Sequence, residues 1–334
     1  MHRRDWNPAA LMQASGAYWQ SCALHSGVEL GIFTVLHGES MAADALAQRL
    51  GCDRRGLETL LTALCALGLL RKEGDLYAAA PAACEYLSER SPDYFGHIVL
   101  HHQSLVPAWS RLSDAVRSGR GVRESSHRTE DAAQREHFLL GMFNVACRQA
   151  GDIAAALDLR DRMRLLDLGG GPGTYAVHFC LQNPHLSATV YDLPTTRPFA
   201  EKIIARYGLT ERIQFAEGDF LQDTLTGRYD VVWISQVLHA MDHENAAVLL
   251  EKAARVLTPG GLLLIQEFVL DDGRDGPEHP ALFGCNMLVG TESGRMYTEK
   301  ELFDLLRWSG ASDVRRHPLD LPMGCAIVAG GFPT

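Results

Sequence analysis

The segment Leu165-Leu-Asp-Leu-Gly-Gly-Gly-Pro-Gly-Thr174 is where residue types and spacing first suggest chemistry in this 334-residue chain. An apolar strand ends in a glycine run, which lets the backbone approach a ligand where any Cβ would clash, and a helix then begins. Gly169, Gly171 and Gly173 space the run as G-x-G-x-G, with Thr174 where a dinucleotide fingerprint would carry its third glycine. Asp167 stands in the strand just before. Val190-Tyr-Asp-Leu-Pro194 places Asp192 at the end of a second strand, about 20 residues past the glycines, where a carboxylate can take both ribose hydroxyls. Glu217-Gly-Asp-Phe220 places Asp219 and Phe220 at the end of a third strand, suited to the exocyclic amine and the face of an adenine. Three consecutive strand ends thus supply a loop, a ribose acid and an adenine clamp.

Other reactive side chains form weaker patterns. His97 and His101 are four apart and share a helix face, with His102 beside them, but no further ligand has matching spacing, so they are read as structural or as substrate contacts. Asp271-Asp272 follows a strand and reads as a solvated loop rather than a magnesium site. The eight cysteines are scattered with no CxxC pair, which argues against zinc or a disulfide framework and for reduced, packed thiols. No metal is expected.

The elements that must hold these residues follow from periodicity. Strands are predicted at 164–168, 188–192, 213–217, 229–235 and 262–269 with helical patterns between them. Such alternation argues for a doubly wound α/β domain, mostly parallel, with ligands at the carboxyl ends of its strands. In the first third, Leu24, Val28, Leu30 and Phe33 mark one apolar helix. Ser40 can cap a second carrying Leu46 and Leu50, and Asp53 a third carrying Leu57, Leu60, Leu61 and Leu64, closed by Gly68. LLRKEGDLYAAA reads as a hairpin around Gly74 and Asp75. Three helices and a hairpin in this order make a winged helix. Its recognition helix would carry only Arg54 and Arg55 at its start, so self-association fits better than DNA.

Lys+Arg 31 against Asp+Glu 41 gives a net charge of -10, and such a field repels phosphate backbones. A hydrophobic content of 46% suits a folded protein with two domains. MHRRDWNPAA lacks the apolar core of a secretory signal, and the richest apolar run, 60–70, falls short of the roughly 20 residues a membrane span needs. The expectation is a cytoplasmic protein with no nucleic-acid or membrane partner. The polar stretch SGRGVRESSHRTEDAAQ, 118–134, is the boundary candidate, after which Phe138, Leu139, Met142, Phe143 and Ala146 suggest a long helix to about Leu157.

DLGGGPGT, YDLP, EGDF, the segment WISQVLHAMDHENAAVLLEKAARVLTPGGLLLIQE and the N-terminal winged helix together resemble the S-adenosylmethionine-dependent O-methyltransferases of the plant caffeate and acetylserotonin type, with their bacterial relatives. The resemblance covers nearly the whole chain. It implies a doubly wound, seven-stranded Rossmann-like sheet with its last strand antiparallel, and an N-terminal helical winged-helix domain forming a homodimer. The implied organisation is 1–118 for dimerisation, 119–160 as linker and connecting helix, and 161–334 for binding S-adenosylmethionine, with S-adenosylhomocysteine as product. Asp167, Gly169, Gly171, Asp192, Asp219, Phe220 and Ser235 would contact the cofactor, Ser235 replacing a lysine common in plant members. Met142 matches a position lining the acceptor cavity, and Phe138, Phe143, Asn286, Met287 and Met296 lie in segments that usually face it.

The family's general base falls on His239. Imidazole is the side chain best poised near neutral pH to take a proton from an attacking hydroxyl. Against a histidine near 6.5, a phenol near 10 leaves a gap of roughly 5 kcal/mol and an aliphatic alcohol one of about 12 kcal/mol, so an acidic hydroxyl of a small molecule is favoured. Two departures bear on this. Ala240-Met241 replaces the Asp-Trp that follows the family's histidine, and of its two flanking glutamates the first is Glu267 while the second position is Met296, beside Arg295. His239 would then be oriented by Glu267 alone or by another residue such as Glu292. A substrate needing no deprotonation would tolerate the loss, which keeps S- or N-methylation open. Non-methyl chemistry on the same fold stays open as well, and a winged-helix regulator is the least favoured reading.

Overall fold

A computed structural model describes residues 5–123 and 131–334. The boundary candidate at 118–134 lies partly outside them. The chain divides into two compact units, Met1–Val106 with Glu136–Asn144, and Pro107–Arg135 with Val145–Thr334.

The first unit opens with α1 (Pro8–Gly16), α2 (Tyr18–Glu29) and α3 (Ile32–Val35). The single apolar helix expected through Phe33 is therefore two. Gly31 at φ +68° breaks it, and the turn lets Ile32 and Phe33 point into the core, where both are fully buried. Next come β1 (Ser40–Ala42), α4 (Ala43–Leu50), α5 (Arg54–Ala66), β2 (Leu70–Glu73), β3 (Leu76–Ala79), α6 (Pro81–Leu87) and the start of α7 (Gly96–Trp109). Ser40 does not cap α4, because it pairs with Ala78 in a three-stranded sheet of order β1-β3-β2 and Ala42 takes the N-cap. Asp53 does cap α5, accepting from the Gly56 amide at 2.8 Å. Gly68 ends α5 in the left-handed region while Leu69 N–H bonds back to the Leu64 carbonyl at 2.9 Å. Leu46, Leu61 and Leu64 are fully buried in this unit, whereas α1 buries nothing. His97 Nδ1 lies 3.1 Å from Nδ1 of His137, forty residues on.

The second unit holds α8 (Leu112–Ser118), both ends of α9 (Ala132–Ala156), and then alternates β4 (Arg164–Leu168), α10 (Thr174–Gln182), β5 (Ser187–Asp192), α11 (Arg197–Arg206), β6 (Ile213–Glu217), β7 (Tyr229–Ser235), α12 (His243–Arg255), β8 (Leu257–Leu270), α13 (Glu278–Gly290), β9 (Tyr297–Thr298), α14 (Glu299–Trp308), β10 (Asp313–Arg316) and β11 (Cys325–Gly331). The sheet runs β10-β11-β8-β7-β4-β5-β6, seven strands with β11 antiparallel to both neighbours, and two-residue β9 adds an eighth beside the end of β8. Strand order reverses at β4, so the glycine run opens at the switch point where doubly wound sheets bind ligands. Trp233, fully buried, anchors one face, with the rings of Tyr175 and Phe179 each 5.1 Å away. Among the described residues no helix is long and apolar enough to cross a membrane.

Candidate active site

The carboxyl ends of β4, β5 and β6 bring most of the expected ligand residues together. Gly169 has φ +71°, and a Cβ there would meet Val237 Cγ2 at 2.7 Å and Phe220 Cε1 at 3.5 Å. Any side chain would thus be strained and would fill the cradle. The Gly171 amide donates to Asp192 Oδ2 at 2.8 Å, tying the glycine loop to the end of β5. Asp192 Oδ1 accepts from the Leu193 amide at 2.7 Å and from Thr196 Oγ1 at 2.9 Å. Oδ2, with one donor, keeps acceptor capacity for a hydroxyl. Burial pushes the Asp192 carboxyl above its usual range, opposed by those three donors.

Asp167 is wholly buried. Its Oδ2 accepts from the Ala176 amide at 3.1 Å, while its Oδ1 has no hydrogen-bond partner. Burial pushes its pKa up to about 7. Such a carboxylate is suited to a cationic group beside the glycine loop, since a neighbouring positive charge restores the ionised form. Asp219 shapes the turn after β6: its Oδ1 accepts from the Leu221 amide at 2.9 Å and its own amide donates to Asp223 Oδ2 at 2.8 Å. Sequence reasoning missed Lys252, whose ammonium donates to the carbonyls of Phe220, Leu221 and Asp223 at 2.7 to 3.0 Å and fixes the loop after β6 from α12. Nothing local in the sequence marks that role. Ser235 directs its hydroxyl to Gln266 Oε1 at 2.9 Å.

His239 follows β7 in a short 3-10 turn, 238–240, and is buried. Its Nδ1 lies 2.8 Å from Glu267 Oε2, while Glu267 Oε1 accepts from the amides of Leu238 at 2.8 Å and His239 at 3.3 Å. One carboxylate, only 1% exposed, therefore holds both the ring and the turn that carries it. It is the ring's hydrogen-bond partner among the described residues; Glu292 is exposed, and Met296 packs with Leu270 and Met287 against Phe268 and Phe283. The Phe283 ring meets the His239 ring edge-on at 5.0 Å. A buried thioether thus stands where the second glutamate was sought, close to an aromatic wall. Asn286, one turn beyond Phe283 on α13, accepts from Trp109 Nε1 at 3.0 Å. Phe138 and the half-buried Met142 belong to the first unit, where Phe138 packs edge-on against His101 at 5.2 Å. No group of three or more His, Cys, Asp or Glu able to hold a metal occurs among the described residues.

A doubly wound sheet with a glycine cradle at its switch point and an acid at the end of the next strand is the architecture of an α/β protein that binds a nucleoside-containing ligand. Residues 109–312 match the O-methyltransferase domain and 12–89 the O-methyltransferase dimerisation domain, and the chain belongs to that family. It is 37% identical to 3-hydroxy-5-methyl-1-naphthoate 3-O-methyltransferase of Streptomyces sahachiroi, over 97% of this chain and 95% of that one. It is 35% identical to the tetracenomycin polyketide synthesis 8-O-methyltransferase of Streptomyces glaucescens, over 98% of each. Its fold superposes on human N-acetylserotonin methyltransferase in complex with S-adenosylmethionine with a TM-score of 0.84 at 26% identity, covering all of both chains. The enzyme is an S-adenosylmethionine-dependent O-methyltransferase of small molecules. The site fits that cofactor: the cradle at Gly169 admits no Cβ, and the orphaned Asp167 Oδ1 suits its cationic part.

Proposed function

We propose that the protein methylates an acidic, aromatic hydroxyl of a small molecule, with His239 as general base. The observation that carries this reading is the 2.8 Å contact between His239 Nδ1 and Glu267 Oε2. A buried carboxylate accepting Nδ1–H leaves the Nε2 lone pair free to take a proton and stabilises the imidazolium that results. S-adenosylmethionine supplies a methyl carbon made electrophilic by its sulfonium. Asp167, Gly169, Gly171, Asp192, Asp219, Phe220 and Ser235 would hold it, and Asn286, Met287 and Met296 would line the acceptor side. Much of the acceleration comes from positioning, which makes a bimolecular displacement effectively unimolecular. The hydroxynaphthoate and polyketide acceptors in the names of two relatives support a fused aromatic phenol.

Residues 1–118 form the dimerisation domain in this reading, 119–160 the connection and 161–334 the catalytic domain. Exposed Trp6, Leu11, Met12, Tyr18 and Trp19 at the start of the chain support a homodimer formed there. Incubation with methyl-labelled cofactor and a panel of hydroxynaphthoates, aromatic amines and aliphatic alcohols tests the acceptor. Label on a phenolic oxygen is expected; label on nitrogen alone, or equal transfer to aliphatic alcohols, would refute it.

A further inference from the structure

His239 is also supported from its main-chain side, by the segment 295–297. The Arg295 amide donates to the His239 carbonyl at 2.9 Å, and Tyr297 Oη donates to the Met241 carbonyl at 3.1 Å. The two bonds fasten 295–297 along the turn that carries the base. The approach is close: a Cβ on Gly294 would stand 2.7 Å from the His239 carbonyl oxygen.

Tyr297 and Thr298 pair with the end of β8, Met296 and Tyr297 are buried, and the charged contacts of this segment converge on one carboxylate. Glu301 receives Arg295 Nη2 at 2.6 Å, Arg274 Nη2 at 2.6 Å on both oxygens, and the Thr298 amide at 2.8 Å. Arg274 comes from the loop after β8, the strand that carries Glu267, and its Nη1 reaches the Met296 carbonyl at 3.5 Å. The Glu301 carboxylate thus binds the β8 exit, the 295–297 segment and the start of α14 at one point. Isolated surface ion pairs contribute little, but a half-buried carboxylate filled by two guanidinium groups and an amide resists rearrangement.

We propose that Glu301 is a positioning residue for His239, acting through Arg295 and the main chain where the family's second glutamate, replaced by Met296, is missing; this rests on His239 being the base. Glu267 sets the ring's tautomer, and Glu301 sets the position of the turn. Displacements of a fraction of an ångström at the base then reach the proton-transfer step without touching cofactor binding.

Glu301→Gln tests this, because glutamine at that position still completes the capping box with Thr298 but loses the charge held by both arginines. The expected result is a kcat lowered about tenfold with acceptor KM, S-adenosylhomocysteine affinity and thermal midpoint unchanged. Asp304→Asn, which breaks the exposed Lys300 pair one turn further along α14, should leave kcat as it is. An unchanged kcat in Glu301→Gln overturns the proposal, and so does a fall in which thermal midpoint and cofactor affinity drop together. His239→Ala measured in parallel separates the two readings. If it loses turnover while Glu301→Gln does not, only the positioning role fails; if it retains turnover, the base fails and the positioning role with it.

Discussion

Glu267→Gln isolates the orienting carboxylate without changing its shape. The native side chain accepts three hydrogen bonds, two from the amides of Leu238 and His239 through Oε1 and one from the ring through Oε2. Glutamine can keep the first two with its carbonyl, so the turn stays in place. Its amide nitrogen then faces Nδ1 and donates, which forces the ring proton onto Nε2, the atom needed as base. The variant also loses a charge-assisted bond worth roughly 1.5–3 kcal/mol to the imidazolium. Together with the wrong tautomer this amounts to about 4 kcal/mol, or a kcat reduced on the order of 10³-fold. Initial rates at saturating acceptor and cofactor read the effect, and calorimetric titration with S-adenosylhomocysteine reads cofactor affinity, which should not move. Turnover within about tenfold of the parent, below even a single general acid–base contribution, would refute the reasoning. Equal losses of rate and affinity would do so as well.

Two further outcomes follow from other parts of the molecule. Burial raises the Asp167 carboxyl from 3.8 to about 7, so the cofactor-free protein has its full Asp167 contribution below about pH 4 and loses it as pH rises towards 7, by at most on the order of 4 kcal/mol. Asp167→Asn should flatten that decline in thermal midpoint while weakening cofactor binding; an unaltered pH dependence would show that the buried carboxylate is not its source. Trp19, 69% exposed on α2, should be covered in the dimer. Trp19→Asp is expected to yield monomers in sedimentation velocity at micromolar concentration, and an unchanged dimer would move the interface elsewhere.

The strand ends were legible because their signals are local. A strand that stops at glycines, or at an aspartate, carries its chemistry within five or six residues, and β4, β6 and β7 lie where periodicity put them. Elements defined by distant partners were harder to read. Ser40 has the chemistry of a cap but pairs with Ala78, and the partner of His97 at His137 lies forty residues on. β10 shows no apolar alternation because it is an edge strand with mostly exposed residues. At the site, the resemblance suggested Glu267 and His239 but could not reveal Lys252, Gly294 or Arg295, which act through carbonyl groups that every residue possesses. Main-chain support of this kind leaves no residue-type pattern. For the same reason Met296 reads in sequence as a lost glutamate and in structure as a buried member of an apolar cluster.

The most direct test of the central claim is the rate of methyl transfer to a phenolic acceptor by His239→Ala, measured beside its affinity for S-adenosylhomocysteine. The expected result is a turnover lowered by about 10²–10⁴-fold with affinity unchanged, as follows if the ring takes the proton and does not hold the cofactor. A variant that still transfers methyl to that oxygen at the parent rate would contradict it.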